Sequence, residues 1–346
     1  MEVELKIFKN EDVLSPDYLP ELLPHRENQI KRLADNLLPA SRGRRPQNTF
    51  ISGPPGIGKT VSVKYVFREF ENYSGIKAVY INCWEFNTAT AVLSNLAIEL
   101  GFFVQRHGWS KDEIVSRLVE GLKKLGKGIV VCLDEVDQLI FRDQSVLYDL
   151  LRINQYVKNP IGVVFVSNNP HVFARVEPRI RSSLAIEDVE FKPYTLQEMK
   201  DILEERVKYA FTTVEKGVVL LAANRAVQMG GDVRIGLECL LKAGRLAESE
   251  NEEKVKVEYV KRVLDELTPV KPKILKEKIN EHEKIILKIV EKDKKITSGD
   301  LYRKYCNLCE DPVSDRAFRD FIRHLSELKL IKVSKSQGSV RIISKA

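Results

Sequence analysis

Between residues 49 and 166, short apolar runs alternate with stretches of helical period, and turn residues close each run. Thr49-Phe-Ile-Ser52, Ala78-Val-Tyr-Ile81, Ile129-Val-Val-Cys-Leu133 and Gly162-Val-Val-Phe-Val166 are too short for helices. Runs of this kind flanked by helices predict strands buried on both faces, hence a parallel sheet in an α/β domain. Upstream, Pro16, Pro20 and Pro24 precede a helical pattern from Glu27 to Leu38, closed by the loop from Ser41 to Pro46. The strand pattern stops near Pro193. From Thr195 to Leu267 the spacing is helical, opening on Thr195-Leu-Gln-Glu198, a capping box, with Val255-Lys-Val257 as a short extended piece. Pro269-Val-Lys-Pro-Lys273 reads as a linker, and the rest holds three helical segments and two β-prone runs joined through Gly338. Three domains follow: an α/β domain over 1–192 with a lead-in over 1–47, an all-helical domain over 193–268, and a linker with a small helix-and-hairpin domain over 269–346.

The 346 residues, 43% hydrophobic and 30% charged, exclude a disulfide-stapled miniprotein and a disordered chain. No apolar run approaches the roughly 20 residues of a membrane-spanning helix, and Met1 to Asn10 lack the pattern of a secretory signal. Of five cysteines, Cys83, Cys132 and Cys239 stand singly in apolar surroundings, as buried free thiols do. The expectation is a cytoplasmic, nucleoid-associated protein with no membrane partner. The net charge of +7 is uneven: residues 270–346 hold 19 Lys and Arg against 11 Asp and Glu, while the remainder is nearly neutral. Such a basic tail suits nucleic acid, or else a merely solvated charged face.

Gly53-Pro-Pro-Gly-Ile-Gly-Lys-Thr60 has the spacing G-x-x-x-x-G-K-[ST], between an apolar strand and a helix. In the loop Gly53, Pro54, Pro55, Gly56, Ile57 and Gly58 the glycines would let the backbone N–H groups of the non-proline positions turn inward around phosphates. Lys59 would reach the β/γ oxygens, and the Thr60 hydroxyl would ligate Mg²⁺. ATP or ADP with Mg²⁺ is therefore the expected cofactor. The run Ile129 to Asp137 ends a strand in paired carboxylates: Asp134 is expected to hold Mg²⁺ through water, Glu135 to polarise the attacking water, and Asp137 to cap a helix. Asn168, ending the next apolar strand, is a candidate to orient that water or touch the γ-phosphate; alternatively it caps a turn. In Glu177-Pro-Arg-Ile-Arg181, Arg179 and Arg181 are candidates for the γ-phosphate in the same or a neighbouring chain, or else plain surface arginines. Gly230-Gly-Asp-Val-Arg234 sets Arg234 at a helix start, where it could swing onto the phosphates.

In the basic tail, Ile285, Ile286, Ile289 and Val290 share one helical face, and a second helix runs from Ser298 to Cys306. The third, from Ser314, turns Ala317, Phe318, Phe321, Ile322, Leu325 and Leu328 inward and leaves Arg316, Arg319 and Arg323 on the other side, as a recognition helix requires. Leu330 to Ser334 and Ser339 to Ile343 flank a hairpin tip with Lys335 and Ser336, and Arg341 lies on the return strand. That is a winged helix, suited to DNA or to protein contacts. Cys306-Asn-Leu-Cys309 has half a zinc-site spacing, but His282 and His324 look isolated in charged helices.

The set from the phosphate loop to Arg234 resembles the AAA+ ATPases. Gly231-Asp-Val-Arg234, Leu23-Pro-His-Arg-Glu27 and Glu177-Pro-Arg-Ile-Arg-Ser-Ser183 look like the archaeal Orc/Cdc-type replication initiators, over nearly the full length. The resemblance implies an AAA+ core, a helical lid and a winged helix. It makes Asn168 and Arg234 nucleotide sensors, Tyr194 and Arg206 nucleotide contacts, and Gln105, Arg106 and His107 part of an insertion that touches DNA. It further implies duplex origin DNA, the replicative MCM helicase and other initiator paralogues as partners, with slow, regulatory ATP hydrolysis. Ser183 and Leu184 stand where eukaryotic relatives carry an arginine that acts in trans, and Ile57 stands where the family commonly has Thr. Two other functions fit the same domains: a DNA-binding regulator or inhibitory paralogue, and a branch-migration-type AAA+ motor.

Overall fold

The computed structural model describes residues 7–104, 109–159, 161–266, 280–293, 295–309, 312–327, 330–335 and 341–345. The chain forms two compact units that divide between Leu264 and Asp265.

The first unit is built on a five-stranded, wholly parallel sheet of order β2-β3-β4-β1-β5. The strands are β1 (Thr49–Ser52), β2 (Ala78–Asn82), β3 (Ile129–Asp134), β4 (Ile161–Ser167) and β5 (Glu187–Glu190). Four of them are the apolar runs expected from the pattern, and β3 and β4 are buried at every position. The fifth was not expected: Glu187-Asp-Val-Glu190 buries only Val189, because it pairs with β1 at the sheet edge and faces solvent elsewhere. Helices α1 (Glu27–Ser41), α2 (Lys59–Ser74), α3 (Ala89–Glu99), α4 (Lys111–Leu125), α5 (Asp137–Arg142), α6 (Ser145–Tyr156) and α7 (Pro178–Leu184) belong to this layer. Its core joins strand residues Phe50, Val131 and Phe165 to Leu96, Leu118 and Leu147 from the helices. At its centre Phe173 meets Phe50 and Phe165 edge-on, with centroids 4.9 and 5.2 Å apart.

Helices α8 (Leu196–Ala210), α9 (Val218–Gln228), α10 (Val233–Ser249) and α11 (Val257–Glu266) follow in the same unit. The capping box is formed: Thr195 Oγ1 accepts the Glu198 N–H, and Glu198 accepts the Thr195 N–H. The extended piece before α11 is present as a parallel bridge between Val214 and Val255. Unexpectedly, the lead-in begins among these helices. Phe8 pairs with Phe211, their rings stack 4.9 Å apart, and Gly244 leaves the space that Phe8 and Phe211 fill.

The second unit contains α12 (Glu281–Asp293), β6 (Lys295–Thr297), α13 (Ser298–Leu308), α14 (Asp315–Glu327), β7 (Ile331–Lys335) and β8 (Arg341–Lys345). Its antiparallel sheet has the order β6-β8-β7. Strand β6 carries too few residues to show a period. Phe318, Ile322 and Leu325 of α14 pack with Ile286, Val290, Leu301 and Tyr305 in one apolar core.

Phe165 has no exposed surface, so Phe165→Ala should lower the unfolding free energy by about 3–5 kcal/mol, read from the urea midpoint at unchanged m-value.

Candidate functional site

The carboxyl ends of β1, β3 and β4 converge beside the turn into α2, the edge where open parallel sheets bind ligands. The turn depends on three glycines with positive φ. Gly53 (148°) leaves no space for a side chain against the Phe191 carbonyl, Gly56 (71°) lies against the Asp232 carboxylate, and Gly58 (90°) is the cap of α2 beneath the Tyr194 hydroxyl. Lys59 opens the helix and is 6% exposed. Its Nζ donates to Gly53 O (2.7 Å), Pro54 O (2.6 Å) and Asn168 Oδ1 (2.7 Å), so all three donors are engaged. Burial pulls its pKa down to about 8, against the upward pull of Glu135 and Asp134.

Asp134 ends β3 and is buried. Its Oδ2 accepts Thr60 Oγ1 at 2.6 Å and the Tyr80 hydroxyl at 2.7 Å, and its Oδ1 accepts the Glu135 N–H at 2.9 Å. Glu135 takes a left-handed backbone (φ 54°), at a cost of about 1–2 kcal/mol for a residue with a side chain. Asn168 Nδ2 donates to both Glu135 oxygens at 3.1 Å, so its amide bridges Lys59 and Glu135. Burial, then the neighbouring Asp134 and Asp137 charges, raise the Glu135 pKa. Asp137 does not cap α5 as expected. The turn at Glu135 makes Val136 the cap, and Asp137, first in the helix, accepts the Ser167 hydroxyl at 2.8 Å.

Gly56, Gly58, Lys59, Thr60, Tyr80, Asp134, Glu135 and Asn168 line a cleft of about 890 Å³ that also takes in Pro55, Tyr194, Arg206 and Arg234. Arg234 pairs with Asp232 (Nη2 to Oδ2, 2.7 Å); its charge is felt at Lys59, and the Glu135 charge is felt at Arg234. Arg206 donates to Val13 O at 3.1 Å and lies over the Tyr18 ring. Ile57 is wholly buried. Arg179 and Arg181 are exposed on α7, outside the cleft lining.

Three participants were given no role from the sequence, although Arg26 lies in the Leu23-Pro-His-Arg-Glu27 motif. Arg26, only 4% exposed in the proline-rich lead-in, donates to Ile57 O through Nε (3.1 Å) and Nη2 (2.9 Å), and to Lys192 O at 2.9 Å. Its guanidinium stacks 3.8 Å from the Tyr194 ring centroid. It thereby ties the phosphate loop to the start of the helical part. Tyr80 and Lys64 stand beside Asp134 as a stacked pair, with the Lys64 ammonium 4.6 Å from the ring centroid. Only the strand and helix they occupy were legible.

In the second unit Arg316, Arg319 and Arg323 are exposed along α14. Arg319 pairs with Asp315 at 2.5 Å and Arg323 with Asp320 at 3.3 Å. Lys335 and Arg341 face each other in register across β7 and β8. Ser336, Leu328, Gln105, Arg106, His107 and the 269–273 linker lie outside the described residues. The histidines are not isolated. His282 Nδ1 lies 2.8 Å from the Tyr305 hydroxyl, with its ring stacked on Phe321, and His324 Nδ1 lies 2.6 Å from the buried Glu283 carboxylate. Among the described residues no cluster of His, Cys, Asp or Glu is arranged to hold a metal alone, and no helix is long and apolar enough to cross a membrane.

A glycine loop under a buried lysine, a strand-end Asp-Glu pair, an asparagine on the next strand and a helical part closing on the loop define a P-loop ATPase core of the AAA+ class. Family models agree: an AAA ATPase domain matches residues 22–166, a Cdc6 AAA+ ATPase-type lid domain 200–264, and a CDC6 C-terminal winged helix domain 276–345. The ORC1-type DNA replication protein 1 of Archaeoglobus fulgidus is 38% identical over 341 residues, 94% of this chain and 83% of that protein. The ORC1-type DNA replication protein of Pyrococcus furiosus is 35% identical over 349 residues, again 94% and 83%. The Aeropyrum pernix ORC1 protein, solved in complex with DNA, matches with a TM-score of 0.74 at 32% identity, covering 98% of this chain and 94% of that one. The chain belongs to the ORC1-type DNA replication proteins, replication initiators of the Orc1/Cdc6 type.

Membership in the AAA+ ATPases implies that the cleft binds nucleotide. The lowered Lys59 pKa then sets a pH dependence. On the expectation that Lys59 holds phosphate, affinity is full well below pH 8 and falls as pH rises through about 8 and the ammonium loses its charge. Affinity for a fluorescent nucleotide should fall about tenfold between pH 7 and pH 9, and Lys59→Ala should both weaken binding by roughly 30-fold or more and flatten that profile.

Proposed function

We propose that this chain is an ATP-dependent switch that binds duplex DNA at replication origins and helps recruit or load the replicative MCM helicase, with slow hydrolysis resetting it. The observation that carries the reading is the lid arginine, Arg234, lining one cleft with Lys59 and Glu135 in a chain whose relatives are replication proteins. Functionally we divide the chain into an ATPase core to residue 192, a lid over 193–268 and a winged helix from 269.

The residues suit ATP or ADP with Mg²⁺. The glycine turn leaves a cradle that side chains would fill, and Thr60 with Asp134 offers the oxygen donors a hard cation takes. Bound Mg²⁺ would neutralise phosphate charge. Gly53 to Gly58 and Lys59 then hold the phosphates, with Tyr194 and Arg206 completing the contacts. Asn168 holds the Glu135 carboxylate toward the cleft, and Glu135, whose raised pKa favours proton acceptance, takes the proton of the attacking water. Arg234 links the terminal phosphate to lid position, giving a two-state hinge. Arg179, exposed on α7 outside this cleft, stays a candidate for the γ-phosphate in the same or a neighbouring chain.

For DNA, the exposed arginines Arg316, Arg319 and Arg323 suit a major groove. Lys335, Ser336 and Arg341 suit the wing, with Gln105, Arg106 and His107 as a second contact from the core. The DNA-bound Aeropyrum pernix relative supports this use of the fold. A regulator, an inhibitory paralogue or a motor would share the architecture, and the genomic positions bound separate them.

Mapping the DNA bound in native cells should yield few sharp peaks at replication start sites; promoter peaks would move the function to regulation. Glu135→Gln should cut hydrolysis by roughly 100-fold or more while retaining ATP binding and prolonging helicase recruitment. Recruitment unaffected by this substitution would reduce ATP to a structural ligand. Arg341→Ala should weaken all duplexes alike and reduce the slope of log K against log salt by about 0.9.

A further inference from the structure

The Asp134 carboxylate has an unusually complete set of partners. An ionised carboxylate offers about four acceptor positions, two on each oxygen. Thr60 Oγ1 and the Tyr80 hydroxyl take both positions of Oδ2, at 2.6 and 2.7 Å, and the Glu135 N–H takes one of Oδ1 at 2.9 Å. One acceptor position is left, and it lies on Oδ1. Thr60 and the Glu135 backbone belong to the phosphate loop and the acidic strand end. Tyr80 comes from neither: it stands on β2, which pairs with β3 in register Tyr80↔Cys132 and Asn82↔Asp134.

We infer that Tyr80 is a positioning residue for Mg²⁺: its phenol pins the Asp134 carboxylate beside the Thr60 hydroxyl, the pair of oxygen donors that would hold the cation. The inference rests on the nucleotide and Mg²⁺ reading above. Two further observations support it. The Lys64 ammonium, 4.6 Å from the ring centroid, holds the ring by its face and draws electron density from it, which strengthens the phenol as a donor. Tyr80 and Lys64 both line the cleft, which sets them beside the ligand rather than only in the core.

The test is Tyr80→Phe in the full chain, with a fluorescent ATP analogue titrated in EDTA and across a Mg²⁺ series. Affinity in EDTA should stay within about twofold of the unmodified chain. The Mg²⁺ concentration for half-maximal tightening should rise about three- to tenfold, the scale of one hydrogen bond to a charged group spread over a still partly pinned carboxylate. Lys64→Met, which keeps the phenol but removes the cation over it, should shift that midpoint the same way by about twofold. An unchanged Mg²⁺ midpoint in both variants would overturn the inference, as would a loss of affinity in EDTA equal to the loss in Mg²⁺, the mark of a purely structural tyrosine. Analogue binding by the unmodified chain that ignores Lys59→Ala would overturn the nucleotide reading itself, and this inference with it.

Discussion

A charged lysine held almost out of water governs the architecture of the first unit. Desolvating an ammonium costs several kcal/mol unless acceptors surround it, and Lys59 finds three: two loop carbonyls and the Asn168 amide. Two of those acceptors require a chain reversal tight enough to need glycine at 53, 56 and 58. The third requires β4 to lie next to β1, which the sheet order provides. Asn168 then has its amide N–H groups left for Glu135, so that carboxylate is positioned by the same side chain that satisfies the lysine. An incoming phosphate replaces weak carbonyl partners with a charged one, so the loop is prepared for its ligand rather than rebuilt around it.

The lead-in segment converts two layers into one unit. Its first described residues pack among the lid helices through Phe8, and its Arg26 binds the phosphate-loop carbonyl of Ile57 and the hinge carbonyl of Lys192. Between them His25 reaches Asp201 of α8 at 2.9 Å. Val233 N–H, at the start of α10, donates to Gly56 O at 3.0 Å from the other side. The phosphate loop is therefore joined to the lid through short, direct contacts.

In the second unit the charged residues divide by depth. Glu283, buried on α12, holds His324 of α14, while the aromatic group of His282, Tyr305, Tyr302 and Phe318 fills the space between helices. Arg319 and Arg323 of α14 pair with exposed carboxylates one helical turn away, pairs worth a few tenths of a kcal/mol. Stability and the basic face thus use different residues of one helix.

The amino-acid sequence by itself determined what local pattern encodes. Buried strands show as unbroken apolar runs, the phosphate loop as glycine spacing before a lysine, the lid as a capping box and helical period, and the winged helix as three amphipathic segments and a hairpin. Family resemblance added Tyr194 and Arg206, which line the cleft together with the Arg234 already marked by its glycine-aspartate context. Tertiary structure alone decided what depends on distant partners. Strand β5 is polar because it is an edge, so its sequence lacks the apolar run. The buried Arg26 and the phenol of Tyr80 acquire meaning only from the carbonyls of Ile57 and Lys192 and the carboxylate of Asp134, set within bonding distance by the sheet order. Arg179 and Arg234 look alike as arginines near glycine, proline or serine; the fold brings one into the cleft and leaves the other on the surface. Periodicity reports which face of an element is buried, whereas the partner across that face is chosen by how the elements pack.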